Sequence, residues 1–290
     1  MAAVGQAEVR GLLSLSGQDP ATYRSHVLHG EKRAYRETNC YADVLIELLH
    51  ACGYEPLAAF GFLVRIDFEG DQWTFFKPPP HDLEALFGID IHEMQPYRSL
   101  PAQIAEQLEH GRTIIVELDS WFLPDTASTS YRTEHVKTSV AADAIDVAGG
   151  RLRYFHGAGM HELGGEDYLG AFRMADDVRA GTLPPYVELV RFDAGPRLPP
   201  QELRDVSLAL LSRHLARRPE GNPFGRFGAK LVDELPALLA AGLADYHAYA
   251  FATVRMAGSA FEVAADHIDW LLGAEGEEPA KAMRELVDGC

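Results

Sequence analysis

At Gly195, Pro196, Pro199 and Pro200 the chain changes character, and that change limits the fold more than any other feature. Before it, short β-branched and aromatic runs alternate with turn residues. After it, every apolar pattern keeps a helical period. Leu203, Val206 and Leu210 begin one stripe, and Asn222-Pro223-Phe224-Gly225 separates it from a second helix over 226–242. Pro236 is expected to kink or restart that helix. Leu243 to His267, with Trp270 and Leu271, reads as one long or broken helix, and 278–288 closes the chain. The reading is an α+β domain over 1–197 and a helical domain over 198–290.

Within the first domain, the stretch Asn39-Cys40-Tyr41-Ala42-Asp43 opens a helix. Leu45, Leu48, Leu49 and Cys52 supply its apolar stripe, Asn39 its cap or a neighbour of the cap, and Gly53 its end. Residues 61–67 and 72–76 read as strands joined by a Glu69-Gly70-Asp71 turn. His81 to Phe87 and 100–110 read as helices, and Thr113 to Asp119 as a buried strand. Trp121 to Tyr131 is a loop. His135 to Ala142 and Arg151 to His156 are expected to pair antiparallel, 157–165 to form a loop, and 186–192 a last strand. Residues 1–38 read as a loosely structured lead-in, given positive character by His26, His29, Lys32, Arg33 and Arg36.

Charge narrows the function. Forty-three acidic residues against 26 basic leave a formal charge of -17, which argues against a nucleic-acid binder. An acidic partner would need a local basic patch, and Arg213, His214, Arg217, Arg218, Arg226 and Lys230 form one. The plainer account is that basic residues favour helix C-termini. No apolar run has the length of a membrane span, and the N-terminus lacks the pattern of a secretory leader. Three cysteines, at 40, 52 and 290, make no disulfide framework and fit a reducing, cytoplasmic compartment. The glycines at 157, 159, 164 and 165 lack the context of a phosphate loop, so no cofactor is expected.

The chemistry centres on Cys40. A thiol in the first turn of a helix faces free backbone N–H groups and the positive end of the helix dipole, both of which favour thiolate. The plainer reading is a small buried cysteine that closes a helix onto a core. A nucleophilic thiol needs a base, and His135, at the start of a strand after a polar loop, is the candidate. Asp119, ending the strand before, His156, ending the strand after, and Asp146 are the candidates to orient its ring. Asn39 is the local side-chain donor for an oxyanion, with Gln72 a distant one. A competing reading is a metal site built from His156, His161, Glu162, Glu166 and Asp167, or from His81, Asp82, His92 and Glu93, though neither spacing matches a compact ligand pattern. Asp67, Glu69, Asp71, Trp73, Phe75, Phe76 and Lys77 form an acidic-aromatic patch, either the lining of a pocket for an amine-bearing group or, more plainly, a strand with one packed face and a charged hairpin turn. Tyr246 to Phe251 is read as close helix packing.

Several of these stretches resemble a known group. Asn39-Cys40-Tyr41-Ala42-Asp43, Asp67 to Lys77, Leu123-Pro124-Asp125-Thr126 with Tyr131, His135-Val136-Lys137-Thr138, Tyr154-Phe155-His156 and Tyr246 to Phe251 are similar to the DUF1839 proteins of bacteria. More remotely the chain resembles the butirosin-biosynthesis acyltransferases of the BtrH type and the papain-like C39 cysteine peptidases. That resemblance implies a papain-like core in which Cys40 opens the central helix and His135 starts a strand. Those folds end the next strand in aspartate or asparagine, where this chain has His156. It further implies a thiol acyltransferase that takes an aminoacyl group from a carrier-protein phosphopantetheine thioester, with Arg213, Arg217, Arg218, Arg226 and Lys230 against the carrier. Peptidase or amidase action, and a non-catalytic carrier-binding protein, are the alternatives it leaves.

Overall fold

The computed structural model describes residues 7–9, 12–37, 39–174 and 184–290. Residues 1–6, part of the stretch read as lacking a leader, lie outside the described residues. In chain order the elements are β1 (Ala7–Val9), β2 (Leu12–Ser14), α1 (Cys40–Ala51), α2 (Pro80–Phe87), β3 (Asp90–Glu93), α3 (Leu100–Glu109), β4 (Thr113–Asp119), β5 (Lys137–Asp146), β6 (Arg151–His156), β7 (Gly159–Gly164), α4 (Gly165–Ala171), β8 (Val187–Arg191), α5 (Pro200–Leu215), α6 (Pro223–Ala241), α7 (Leu243–Ala250), α8 (Met256–Leu272) and α9 (Glu277–Asp288). The α+β class and the helical C-terminal stretch are therefore as the pattern predicts.

The strands form one antiparallel sheet centred on β5. Ala141 pairs with Ile115 of β4 and with Phe155 of β6, so those strands flank β5 on opposite edges. β8 follows β4, and β3 follows β8. Val140, Ala141 and Ala142 are fully buried, as the shared middle of a sheet requires. Helix α1 packs on β5 and β6. Its residues Ala42, Val44, Leu45, Ile46 and Leu48 are sealed from solvent, so α1 is enclosed nearly all round.

Three local expectations are corrected. Pro56–Arg65 is a 3-10 helix, not a strand over 61–67. Its unbroken apolar run carries no period that separates the two forms. Of the expected hairpin only a Phe68–Trp73 bridge forms. Gly159–Gly164, read as loop, is β7 and pairs with β6 along its whole length, and β3 was not foreseen. Ladder bonds form whatever the side chains are, so a glycine-rich strand leaves a faint sequence signal. In the C-terminal part, Pro236 is held inside α6 without ending it, and the helix expected to be long or broken runs as α7 and α8 with a π turn over Phe251–Arg255 between them.

Compactness divides the chain into two units with several crossings. The first takes residues 1–29, 40–55 and 83–197, and the second takes 30–39, 56–82 and 198–290. The second unit is thus more than the helical stretch after residue 197. In it, α8 and α5 pack on the Pro56–Arg65 helix and α9 packs on α8. Leu211, Ala265, Ile268, Leu271 and Ala280 form one of its apolar clusters.

Candidate active site

Cys40 is the first residue of α1 and is half-buried. Its thiol donates to Ser139 Oγ on β5 across 3.7 Å. The other two cysteines differ in kind. Cys52 is shut in the core, where burial pushes its thiol well up, and Cys290 is exposed. Asn39, immediately before Cys40, donates its Nδ2–H to the carbonyl of Phe76 at 3.0 Å.

His135 lies two residues before β5. Its Nδ1 is 2.6 Å from Asp119 Oδ2 at the end of β4. A carboxylate only accepts, so Nδ1 carries the proton, and among the described residues Nε2 has no hydrogen-bond partner. The ring stacks on Trp121 with centroids 4.5 Å apart. Asp119 also accepts from Trp121 N at 3.1 Å, capping the short 3-10 turn Ser120–Phe122. One carboxylate therefore orients the imidazole and fixes the backbone under the ring that supports it. The pair is open, the His135 side chain being 66% exposed.

The sheet register relates these groups. Residues paired across neighbouring strands share a face. Ser139 pairs with Glu117 and Lys137 with Asp119, so all four lie on the face that meets Cys40. Along that face the order is Cys40 on Ser139, the Lys137–Glu117 ion pair at 2.6 Å, then the Asp119–His135 pair. Four residues of extended chain separate His135 from Ser139, at most about 13 Å. Cys40 and His135 share no hydrogen bond or ion pair.

His156 is placed elsewhere. Tyr154 pairs with Ala142, and alternation puts Tyr154, His156 and Thr138 on the opposite face from Ser139. There His156 Nδ1 is bonded to Asp125 Oδ2, and Nε2 lies 2.8 Å from Thr138 Oγ1. Tyr154 donates to the other Asp125 oxygen. Burial alone would raise the Asp125 carboxyl, but the bond from His156 and its charge hold it below the usual carboxylate range. His161 Nε2 reaches the His156 carbonyl at 3.2 Å, and burial lowers its pKa. His156 thus completes an Asp–His–Thr–Tyr network away from the thiol. Asp146 caps the β5–β6 turn, accepting from Gly149 N at 2.7 Å.

The groups weighed as metal ligands disperse. Asp167 pairs with Arg132, Glu162 faces Arg153, His81 faces Asp82 and His92 faces Asp90. Among the described residues no three His, Cys, Asp or Glu side chains converge to hold a metal ion. In the basic patch, Arg213 is 2.9 Å from Asp82, Lys230 is 3.0 Å from Glu234, and Arg226 pairs with Asp67. His214 is buried against Asp82 at 2.6 Å. Arg218 donates to the Leu215 carbonyl at 2.9 Å, and Arg217 is exposed. Much of that positive charge is therefore answered within the second unit. Among the described residues no helix is long and apolar enough to cross a membrane.

One cluster was missed by sequence reasoning altogether. His29 is sealed between Asp43, at 3.1 Å from Nε2, and Glu47, bonded to Nδ1. Both nitrogens face carboxylates, so the ring is an imidazolium. Burial works to lower its pKa, but the bonds to Asp43 and Glu47 prevail and raise it to about 9. Tyr23 donates to Glu47 as well. Cys40, Asp43 and Glu47 stand at i, i+3 and i+7 and so line one stripe of α1. The signal available was an acidic pair on the face of an otherwise apolar helix. The sequence places His29 in a loosely structured lead-in of positive character; the structure keeps the charge but buries the ring.

The fold and this arrangement define an α+β protein with a helix-opening thiol on an antiparallel sheet. Models of the DUF1839 N-terminal domain and the DUF1839 C-terminal domain match residues 24–192 and 200–289, so the chain belongs to the DUF1839 family. A search of curated proteins found no match to it.

Proposed function

We propose that the protein is a thiol-dependent acyltransferase whose first unit has a papain-like core. Cys40 attacks the carbonyl of a carrier-bound aminoacyl thioester, the C–S bond to phosphopantetheine breaks, and the leaving thiolate takes up the proton that the Cys40 thiol gives up on attack. The acyl group is then a thioester on Cys40. An amine or alcohol acceptor attacks it, loses its proton to His135 Nε2, and Cys40 departs as thiolate. Asp119 holds the imidazole in the tautomer that this requires. Backbone N–H groups at the start of α1 would stabilise the tetrahedral oxyanion. The helix-opening cysteine followed by an antiparallel sheet has the element order of papain-like enzymes.

One observation carries the reading. A half-buried thiol in the first turn of α1 and an Asp-held histidine with an open Nε2 stand on one face of the β4–β5 pair. The gap along that face makes His135 a group that acts on the acceptor across a bound substrate, or that closes toward Cys40 on binding.

The test uses a Cys290→Ser background, because Cys290 is exposed. An aminoacyl-pantetheine thioester is added and intact mass is followed. A single acyl adduct, removed by hydroxylamine and mapped to Cys40, is expected. Cys40→Ala should form no adduct, and His135→Ala should form it but pass the acyl group to an added amine more slowly. Absence of the adduct from the parent protein would sink the proposal.

A second reading follows from the Ser139 contact. The polar group meeting the thiol is a hydroxyl, not an imidazole, which suits a non-catalytic protein that binds a carrier. Retained binding of an acyl carrier protein by Cys40→Ala, together with an unreactive Cys40, selects it.

A further inference from the structure

The second unit is held from its inside rather than by its outer helices. Val232, Leu239, Leu243, Tyr246 and Phe251, on α6, α7 and the π turn, are exposed, which corrects the close packing expected of Tyr246 to Phe251. The centre is the Pro56–Arg65 helix, on which α5 and α8 both pack. Each of those helices brings one buried histidine to it, His214 from α5 and His267 from α8, at 0% and 1% exposure. The His214 ring meets Phe62 edge-on, and His267 Nδ1 is 2.8 Å from the Leu57 carbonyl.

Neither ring is placed to carry a charge. A carbonyl only accepts, so the His267 proton is on Nδ1. Its Nε2 has no hydrogen-bond partner among the described residues. It lies close to backbone, since a Cβ added to Gly61 would sit 3.1 Å from it and 3.5 Å from Leu211 Cα. His214 Nε2 is 2.6 Å from Asp82, but Arg213, at 2.9 Å, and His81, at 3.2 Å, share that carboxylate, and His214 Nδ1 is also without a partner among the described residues. The other charges on the surrounding elements give no help. Arg65 of the central helix is positive, and Arg204 of α5 is spent on the Trp270 and Leu271 carbonyls. On α8 itself, Glu262 is held by Arg33, and Asp266 and Asp269 by Arg284 of α9. Burial lowers the pKa of both rings, that of His267 to about 4, with the nearby His214 acting on it in the same direction.

We propose that His267, with His214 beside it, is an acid-sensitive lock on the second unit: as neutral rings they let α5 and α8 close on the Pro56–Arg65 helix, and a proton on His267 Nε2 opens that packing. His29 in the first unit shows the opposite case. Both of its nitrogens meet carboxylates, so its charge is answered. A charge on His267 would be buried without an acceptor for its second N–H. A ring that is neutral in the fold and charges once unfolded contributes stability above its unfolded pKa of 6.5, and that stability is lost as pH falls toward 4. His29 acts in the other sense, so mild acid loosens the second unit and spares the first. The inference does not depend on the chemistry proposed for Cys40.

Hydrogen exchange on the full chain, read by mass spectrometry at pH 7 and pH 5 with intrinsic rates divided out, tests it. For a ring shifted from 6.5 to about 4, protection of α5 and α8 should fall roughly 20-fold, while that of β4 and β5 changes by less than about 3-fold. In His267→Asn, which can keep an N–H to Leu57 and does not titrate, the fall in α5 and α8 should shrink to about 3-fold or less. Unchanged protection of α5 and α8 between the two pH values overturns the proposal, and so does an equal fall in His267→Asn. Where that variant fails to fold, carbon-13 histidine spectra of the wild type decide. At least one of the twelve rings is expected to stay neutral at pH 5, and every ring charged at pH 5 overturns the lock.

Discussion

Two histidines of the first unit each hold an aspartate at hydrogen-bond distance, and their surroundings assign them opposite work. His29 is sealed between Asp43 and Glu47 beneath α1, with its side chain fully buried. His135 is largely open, held by Asp119 alone and stacked on Trp121. In the buried cluster both ring nitrogens are consumed, so no lone pair remains for a substrate. In the open pair one nitrogen is consumed and the other is presented. Burial makes the first arrangement strong and inert. Exposure makes the second weak as a structural contact and available to chemistry. The same residue types therefore enclose both ring nitrogens at one site and leave one nitrogen open at the other.

The largest effect should come from opening the buried cluster. His29→Ala leaves the buried carboxylates of Asp43 and Glu47 without their cation, and Glu47→Ala leaves His29 Nδ1 without its acceptor; each should cost about 3–5 kcal/mol in urea unfolding. A change below about 1 kcal/mol would mean that the cluster is not the anchor of α1. Next comes pH. The folded-state pKa of His29 is raised from 6.5 to about 9, so its contribution is complete below pH 6.5 and is lost as pH rises through 9. Stability should fall by on the order of 3 kcal/mol between pH 6.5 and 10, and His29→Gln should flatten that slope.

The open pair should answer in rate rather than stability. His135→Ala is expected to slow transfer from acylated Cys40 to the acceptor by about 10²-fold, with unfolding free energy changed by less than about 1 kcal/mol. A stability loss as large as that at Glu47 would erase the contrast between the two sites. Asp119→Asn keeps the shape but removes the charge and should slow transfer by roughly 10–100-fold. Trp121→Ala should have the smallest effect, a loss of only a few-fold, since it removes the stacking support and leaves the hydrogen bond.

Much of this was legible before the structure. The helix opening at Cys40, the strand ending at Asp119 and the strand that follows His135 each declare themselves through local period and turn residues. Two neighbouring strands that end in Asp119 and begin after His135 place those side chains near each other once the strands pair. The Ser139 contact was not legible, because a serine inside a buried strand looks like any other and its role depends on register. Nor was the placement of His156, since alternation along β6 sends it to the face away from Cys40. The Pro56–Arg65 helix and β7 escaped because an unbroken apolar run and a glycine-rich run both lack a deciding period.

The sequence by itself determined the class of the chain, the order of most of its elements, its acidic balance and the candidate pair Cys40 and His135. Those are local properties, written in spacing and composition. Only the tertiary structure decided that Asp119 rather than His156 holds His135, that His29 is a buried cation and that the apolar stripe of α6 and α7 meets solvent. Each of these depends on which residues from distant parts of the chain come together, and neither the period nor the composition of one segment records its neighbours.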